Sequence, residues 1–454
     1  MKKIIALLLV TMMVAAVFAG CQAPKTVESA TTPETGTTTE AKTEESAKET
    51  KTKDAGKFTV WMLKNFAETS NQYFIDRSVQ FGKENNLNVS VEMVPYAEFL
   101  TKWTAAIESG DTPDVTYMGY QDVGTFGSKG ILMDVSDVFS QIDEREALYP
   151  SLSSAVSFEG AQYAIPYWTE PIVLHYRKDL LEAKGYTEPP KTWDEFREIA
   201  KAVNDPAGGI IGAGIGFGKS NSDAEWFARS VLWSYGAALF AEDGKSSIVN
   251  SAEAVAGAQM IADIFLEDKS VAAGAVNWDD SANNKAYLSG QAAMVINAGS
   301  VYNAVKNDDP ELFEKTGIAT LPAGPKGCFV PGVCNNLAVF KNSKNPEMAK
   351  AYLLYMTEPE AYREWIVGGA PLTCPIYASF KNDELWQDPV NKAFVNTVDN
   401  FVFLGYKYGY TPAAGEVYSM RLINDTFQRI LVEKWTAQKA LDELKANIDT
   451  IINK

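Results

Sequence analysis

Residues 161–203 read AQYAIPYWTEPIVLHYRKDLLEAKGYTEPPKTWDEFREIAKAV, and the order of physical signals within them decides the fold class. The apolar opening ends in the aromatic pair Tyr167-Trp168. Ile172 to Tyr176 is a short β-rich run that reads as a buried strand. Lys178 to Lys184 suits a short helix stopped by Gly185. Pro189-Pro190 forces an extended segment. Thr192 is a good helix N-cap, with Glu195 at the capping-box position and Trp193 opening an apolar face. The order is aromatic loop, strand, helix, rigid turn, capped helix.

The chain before this stretch alternates in the same way. Phe58 to Leu63 reads as a strand, followed by a polar loop at Lys64-Asn65 and a helix to about Asn85. Asn88 to Val94 is a second strand, Tyr96 to Ser109 a helix, and Asp114 to Met118 a third strand. Strand–helix alternation implies a parallel sheet with crossover helices. Ligands of such sheets sit beyond the carboxyl ends of the strands, here Lys64-Asn65, Tyr96 to Glu98 and Gly119 to Asp122.

After the decisive stretch, Asp223 to Phe240 and Ser251 to Glu267 read as helices. Trp278-Asp279-Asp280 precedes a helix that ends near Gly290. Ala293 to Ile296, Gly317 to Pro322 and Val333 to Phe340 read as strands, and Pro346 to Met356 as a helix. Pro371 to Tyr377 is extended, and Glu416 to Ile452 is helical. The run Ala213 to Ser220 nearly matches a phosphate-binding P-loop, with Ala where the first Gly belongs. A strand of small residues entering a turn is the favoured reading, because the strand–loop–helix context is poor.

The length of 454 residues suits about two or three domains. The net charge of −17 argues against nucleic acid or an anionic membrane surface as the main partner. Met1 to Gly20 has a Lys2-Lys3 n-region and an apolar run from Ile4 to Val17, too short for a membrane span of about twenty residues. It reads as a secretory signal. Gln22 to Lys57 holds six lysines against seven acids and almost no large apolar residue. It reads as a disordered tether.

The motifs Tyr163 to Pro166, Tyr176-Arg177-Lys178-Asp179 and Pro189 to Phe196 resemble those of bacterial extracellular solute-binding proteins of the sugar-binding kind, the receptors of ABC importers. Phe18-Ala19-Gly20-Cys21 resembles a lipoprotein lipobox, with Cys21 the lipidated N-terminus. The resemblance covers most of Phe58 to Phe380. It implies a two-lobed α/β periplasmic-binding-protein-like fold, each lobe a mostly parallel sheet flanked by helices. Three hinge crossings are implied, near Thr169 to Leu174, Leu321 to Pro331 and Pro371 to Tyr377. Residues 1–20 are then signal, 21–57 anchor and tether, 58–170 with 322–372 one lobe, and 171–321 with 373–454 the other. The implied partners are a sugar or short oligosaccharide, the importer's permease and ATPase subunits, and the membrane through the lipid alone. The receptor is expected to lie outside the cytoplasmic membrane as a monomer, using neither metal nor nucleotide.

Sugar binding needs aromatic faces for pyranose C–H surfaces and planar polar groups for hydroxyls. Tyr120, Trp168, Trp226, Trp278 and Tyr410 fall at or beside helix and strand ends. Asn65, Glu98, Asp122, Glu170, Asp279, Asn297 and Asn335 are the hydrogen-bonding candidates. Trp103, Trp193, Trp233, Trp365 and Trp435 sit at helical spacing and read as core. Maltodextrin receptors place a Trp near position 300, and Ser300 stands there instead, which argues against maltodextrin though not against a sugar.

An enzyme would look different. The single histidine, His175, falls in a buried strand, and no G-x-S-x-G elbow, H-E-x-x-H or paired C-x-x-C occurs. A glycoside hydrolase needs only two carboxylates and stays open, as do a receptor for a non-sugar solute and a lipid-anchored adhesin. Cys328, Cys334 and Cys374 flank the second crossing or lie in the third, and a local Cys328–Cys334 bond is the favoured disulfide.

Overall fold

The structure, a computed structural model, describes residues 56–65 and 67–454. Cys21, the signal and almost all of the tether lie outside them. Its strands in chain order are β1 (Gly56–Leu63), β2 (Leu87–Val94), β3 (Val115–Gly119), β4 (Ser157–Phe158), β5 (Ala161–Gln162), β6 (Ile165–Thr169), β7 (Val173–Arg177), β8 (Ile211–Ala213), β9 (Ala292–Asn297), β10 (Thr316–Ala319), β11 (Val330–Pro331), β12 (Cys334–Ala338) and β13 (Phe401–Val402). Two sheets organise the lobes, one in the order β2-β1-β3-β12-β6 and one in the order β10-β7-β9-β8.

The first three strands pair in parallel, joined by helices Glu68–Glu84 and Phe99–Ser109. β12 is antiparallel to both β3 and β6. In the second sheet β8 and β9 are parallel, whereas β7 is antiparallel to β9 and β10. The expected mostly parallel pairing therefore holds for β2-β1-β3 and fails in the second lobe. Parallel neighbours require a crossover of a dozen or more residues. β7 and β12 instead enter their sheets along passages from the other lobe, so no crossover on their own sheet sets their direction.

Two of these passages are visible in the strand order. β6 of the first sheet gives way to β7 of the second across residues 170–172, and β10 of the second to β12 of the first across 320–333. Further on, Cys374 still bridges to Thr169 and Tyr377 to Leu148. The helix Pro389–Thr397 then packs on β7 and β10.

The decisive stretch folds as its local signals dictate. Thr192 Oγ1 accepts from the Glu195 backbone N–H at 3.1 Å. The Glu195 carboxylate reaches past the cap to the Lys191 N–H at 2.6 Å. Trp193, Phe196, Ile199, Ala200 and Val203 form the buried face of the helix. Gly185 stops the preceding short helix at φ +89°, where a side chain would be strained. Asp223 to Phe240 is helical only as Ser222–Tyr235, and the C-terminal region splits into helices Pro412–Ser419, Leu422–Leu431 and Ala437–Ile452.

His175 lies fully buried in β7 between Val295 and Ile318, near Tyr287 and Phe394. Burial pushes its imidazole down to about 3, so it is a neutral core residue.

The favoured disulfide is absent, and all three described cysteines are free thiols. Cys328 Sγ donates to Leu321 O, and Cys334 Sγ to Asn336 Oδ1. Between them Val330-Pro331 runs extended against β13 instead of turning the ends together. Cys334 and Cys374 flank Thr169 from opposite sides. That separates them by two strand spacings, about 10 Å, beyond disulfide reach.

Candidate cleft site

Strand direction brings the site together. β1, β2, β3 and β6 run the same way, and β12 runs against them, so one edge of the first sheet collects Asn65, Tyr96, Gln121, Asp122, Glu170 and Asn335. β7 starts, and β9 ends, at the facing edge of the second sheet, where Val173 pairs with Asn297.

Several first-lobe groups carry unused hydrogen-bonding capacity. Asn65 Oδ1 accepts from Ala67 N–H at 2.8 Å, but its buried Nδ2 has no partner among the described residues. Gln121 Nε2 donates to the Tyr96 hydroxyl at 3.1 Å, and its Oε1 is likewise buried and unpaired. Asp122 stands in the first turn of helix Tyr120–Ser128, which has no side-chain cap. Burial without a cationic neighbour pushes its carboxyl up to about 7. An isolated buried polar atom costs about 1–3 kcal/mol, so these groups favour any occupant that offers complementary hydroxyls.

Glu170 is more firmly held. Its Oε1 accepts from Trp168 Nε1 at 3.1 Å and from Asn335 Nδ2 at 3.0 Å. Asn335 Oδ1 in turn accepts from the Tyr117 hydroxyl at 2.8 Å. Desolvation raises the Glu170 carboxyl, and the two donors oppose that. The network spans β3, β12 and β6 and ends at the first passage between lobes.

In the second lobe, Asp223 Oδ2 accepts from Asn283 Nδ2 and Asn297 Nδ2, both at 2.8 Å. Burial foremost, and Asp280 beside it, push its carboxyl up to about 7. Behind it, fully buried Glu225 pairs with Arg229 at 2.9 Å, and Arg421 lies 3.5 Å from the other Glu225 oxygen. Trp278 is half-buried, and its carbonyl accepts from Gly218 N–H and Asn221 Nδ2. A Cβ at Gly216 would come within 2.4 Å of the Trp278 Cβ, and one at Gly218 within 2.3 Å of its carbonyl oxygen. The glycines of the P-loop-like run thus seat Trp278 against the chain. Trp226 is half-buried one turn into helix Ser222–Tyr235.

Other expected site residues are placed differently. Trp168 offers no ring face: β6 is buried along its whole length, and the indole packs 5.7 Å from Tyr117 and 5.6 Å from Trp365. Tyr120 is buried with its ring edge-on to Phe403. Tyr410 is buried on Gly124, its hydroxyl donating to Gln121 O at 3.0 Å. Asp279 spends its carboxylate on the Ser281 N–H and hydroxyl, a local cap. Asn297 donates to Asp223 and Asn284 and accepts from Ala298 N–H, so it positions neighbours. Glu98 is exposed and Ser300 half-buried at a helix start; neither side chain has a hydrogen-bond partner among the described residues.

Gln121, Tyr96 and Asp223 were not singled out from the sequence. The strand-end rule already spanned Gln121 and Tyr96, and Asp223 follows the Asn221 cap of its helix, which accepts from Ala224 N–H.

The comparisons with known proteins agree with this architecture. Residues 64–363 match the family model described as "Bacterial extracellular solute-binding protein". A putative binding protein of Brucella abortus is 26% identical over 309 residues, 68% of this chain and 73% of that protein. The maltodextrin-binding protein of Bacillus subtilis is 26% identical over 302 residues, 63% of this chain and 67% of its own. The solved cyclic alpha-maltosyl-1,6-maltose binding protein of Arthrobacter globiformis has the same fold, with a TM-score of 0.74 at 18% identity over 87% of this chain and 98% of that one. With its model matched over more than half the length, the chain belongs to the bacterial extracellular solute-binding protein family.

Proposed function

We propose that this protein is the substrate-capturing subunit of an ABC importer and takes a sugar or short oligosaccharide into the cleft between its lobes. One observation carries the sugar reading: unpaired donor and acceptor groups, Asn65 Nδ2, Gln121 Oε1 and the Asp122 carboxylate, line one sheet edge. A polyol supplies hydroxyls that donate and accept in one molecule. The binding named for the Bacillus subtilis relative, and for the Arthrobacter globiformis structure, supports the same ligand class. Closure of one lobe on the other is the capturing motion. Cys21 carries the lipid that keeps the monomeric receptor outside the cytoplasmic membrane, on a tether ending where β1 starts at Gly56.

A thermal-shift screen of mono- and oligosaccharides tests this. A ligand at a hundred times its Kd adds about 2.7 kcal/mol to native stability. A hit recovered chemically unchanged supports a receptor. Shortened sugars would move the reading to a glycoside hydrolase, and hits confined to peptides or polyamines would change the solute class.

A further inference from the structure

The aromatic residues at the cleft differ in what they leave open. Tyr120 and Tyr410 are 7% and 6% exposed and spend their rings on Phe403 and Gly124. Tyr96 is 58% exposed, and Leu100, one helical turn later, is 62% exposed. Isolated surface apolar residues mean little, but these two stand at the carboxyl end of β2, beside the unpaired polar edge. The Tyr96 hydroxyl accepts from Gln121 Nε2, whose amide keeps a buried, partnerless Oε1. A first ring whose hydroxyl donates to that oxygen would leave the next ring along the chain facing the Tyr96 ring.

We infer that Tyr96, backed by Leu100, is a stacking platform at the cleft lip for a second or later sugar unit, so that the substrate class is an oligosaccharide of at least two rings. The inference rests on the sugar reading above. Within the cleft the first ring meets mainly polar groups: Asn65, Gln121, Asp122 and Glu170. A further ring extending outward meets the open phenol face, where its apolar C–H side is covered and its hydroxyls stay in water. Desolvation foremost, then the nearby Asp122, Tyr418 and Glu170, push the phenol up to about 12, so it stays neutral at the lip.

The test is calorimetric titration of the intact soluble protein with length series: glucose to maltotetraose, galactose to its β-linked tetramer, and N-acetylglucosamine to its tetramer. Wild-type affinity should rise from one ring to two or three in the series that binds. Tyr96→Ala should cut oligosaccharide affinity roughly tenfold or more, a larger factor than it costs the monosaccharide of the same series. Tyr96→Phe, which keeps the face, should retain most of the gain. Wild-type affinity indifferent to length, or a length gain that survives Tyr96→Ala, overturns the platform while leaving a sugar receptor standing. Binding of no saccharide at all removes the sugar reading itself, and the platform with it.

Discussion

Asn335 donates from Nδ2 to Oε1 of Glu170 at 3.0 Å, and this single bond ties a central strand of the first lobe to the first passage between lobes. Trp168 donates to the same oxygen, which leaves Oε2 without a protein donor among the described residues. Two donors on one oxygen hold the carboxylate in one orientation and leave the other oxygen for a ligand hydroxyl. Asn335→Ala strips a partner from both Glu170 and the Tyr117 hydroxyl. It should cost about 1–3 kcal/mol of stability and weaken sugar binding. Denaturant unfolding and calorimetry read the two effects separately; a stability loss with unchanged affinity would confine the network to a structural role.

A second consequence concerns pH. Asp122 and Asp223 each carry a carboxyl pushed up to about 7 by burial, against an ordinary unfolded value near 4. The folded state therefore binds more protons than the unfolded one between those values. Unliganded stability should fall as pH rises from about 4 to about 7. A sugar hydroxyl that donates to Asp122 favours the ionised form, so affinity should rise across pH 5–8 and binding should release protons. Titration in two buffers of different ionisation enthalpy measures the release. Asp122→Asn should flatten the affinity profile, and an unchanged profile would exclude Asp122 from ligand contact.

Two tryptophans should separate cleanly. Trp168 is fully buried among Tyr117, Tyr167 and Trp365, so Trp168→Ala should cost about 3–5 kcal/mol of stability. Trp226 is only half-buried. Trp226→Ala should leave the melting temperature nearly intact and cost roughly 1–3 kcal/mol of sugar affinity if the ring stacks on ligand. Unfolding of the Trp226 variant, with normal binding by the folded fraction, would assign that ring to the core.

The first lobe's parallel strands and the capped helix at Trp193 were legible because their signals are local: a cap, a proline pair, a glycine stop. The strand-end rule also reached Asn65, Tyr120 and Asp122. It could not tell which end residues are spent on the protein, because those partners are distant in sequence. Trp168 reads as a loop aromatic until β12, more than 160 residues later, closes over it. Asn297 reads as a ligand amide until Asp223 and Asn284 take its donors. The antiparallel strands of the second lobe were missed for a related reason. Strand direction there is set by the passages between lobes, and no periodicity records them.

The anchor is tested on the whole precursor. Cys21 follows Ala19-Gly20 behind the apolar run. Cys21→Ala should release the protein into the medium or leave it unprocessed, as seen by fractionation and N-terminal mass spectrometry. Normal processing with full membrane retention would remove Cys21 as the lipid site.

Glu225 supplies the sharpest stability test. Its carboxylate is fully buried, paired with Arg229 and approached by Arg421. Removing one partner of a buried ion pair leaves an uncompensated charge. Glu225→Ala should therefore cost about 3–5 kcal/mol. The pair itself contributes much less, since its attraction is offset by the desolvation of both ions. Glu225→Leu combined with Arg229→Met should recover most of the loss, because it removes both charges and keeps apolar volume on helix Ser222–Tyr235. Among the described residues Arg229 Nη1 is buried without a partner even in the intact pair, which further favours the double replacement. Urea unfolding of Glu225→Leu, Arg229→Met and the double completes the cycle. A double variant as unstable as the sum of the singles would mean that Glu225 and Arg229 are not coupled, and that each is held by other parts of the cleft wall.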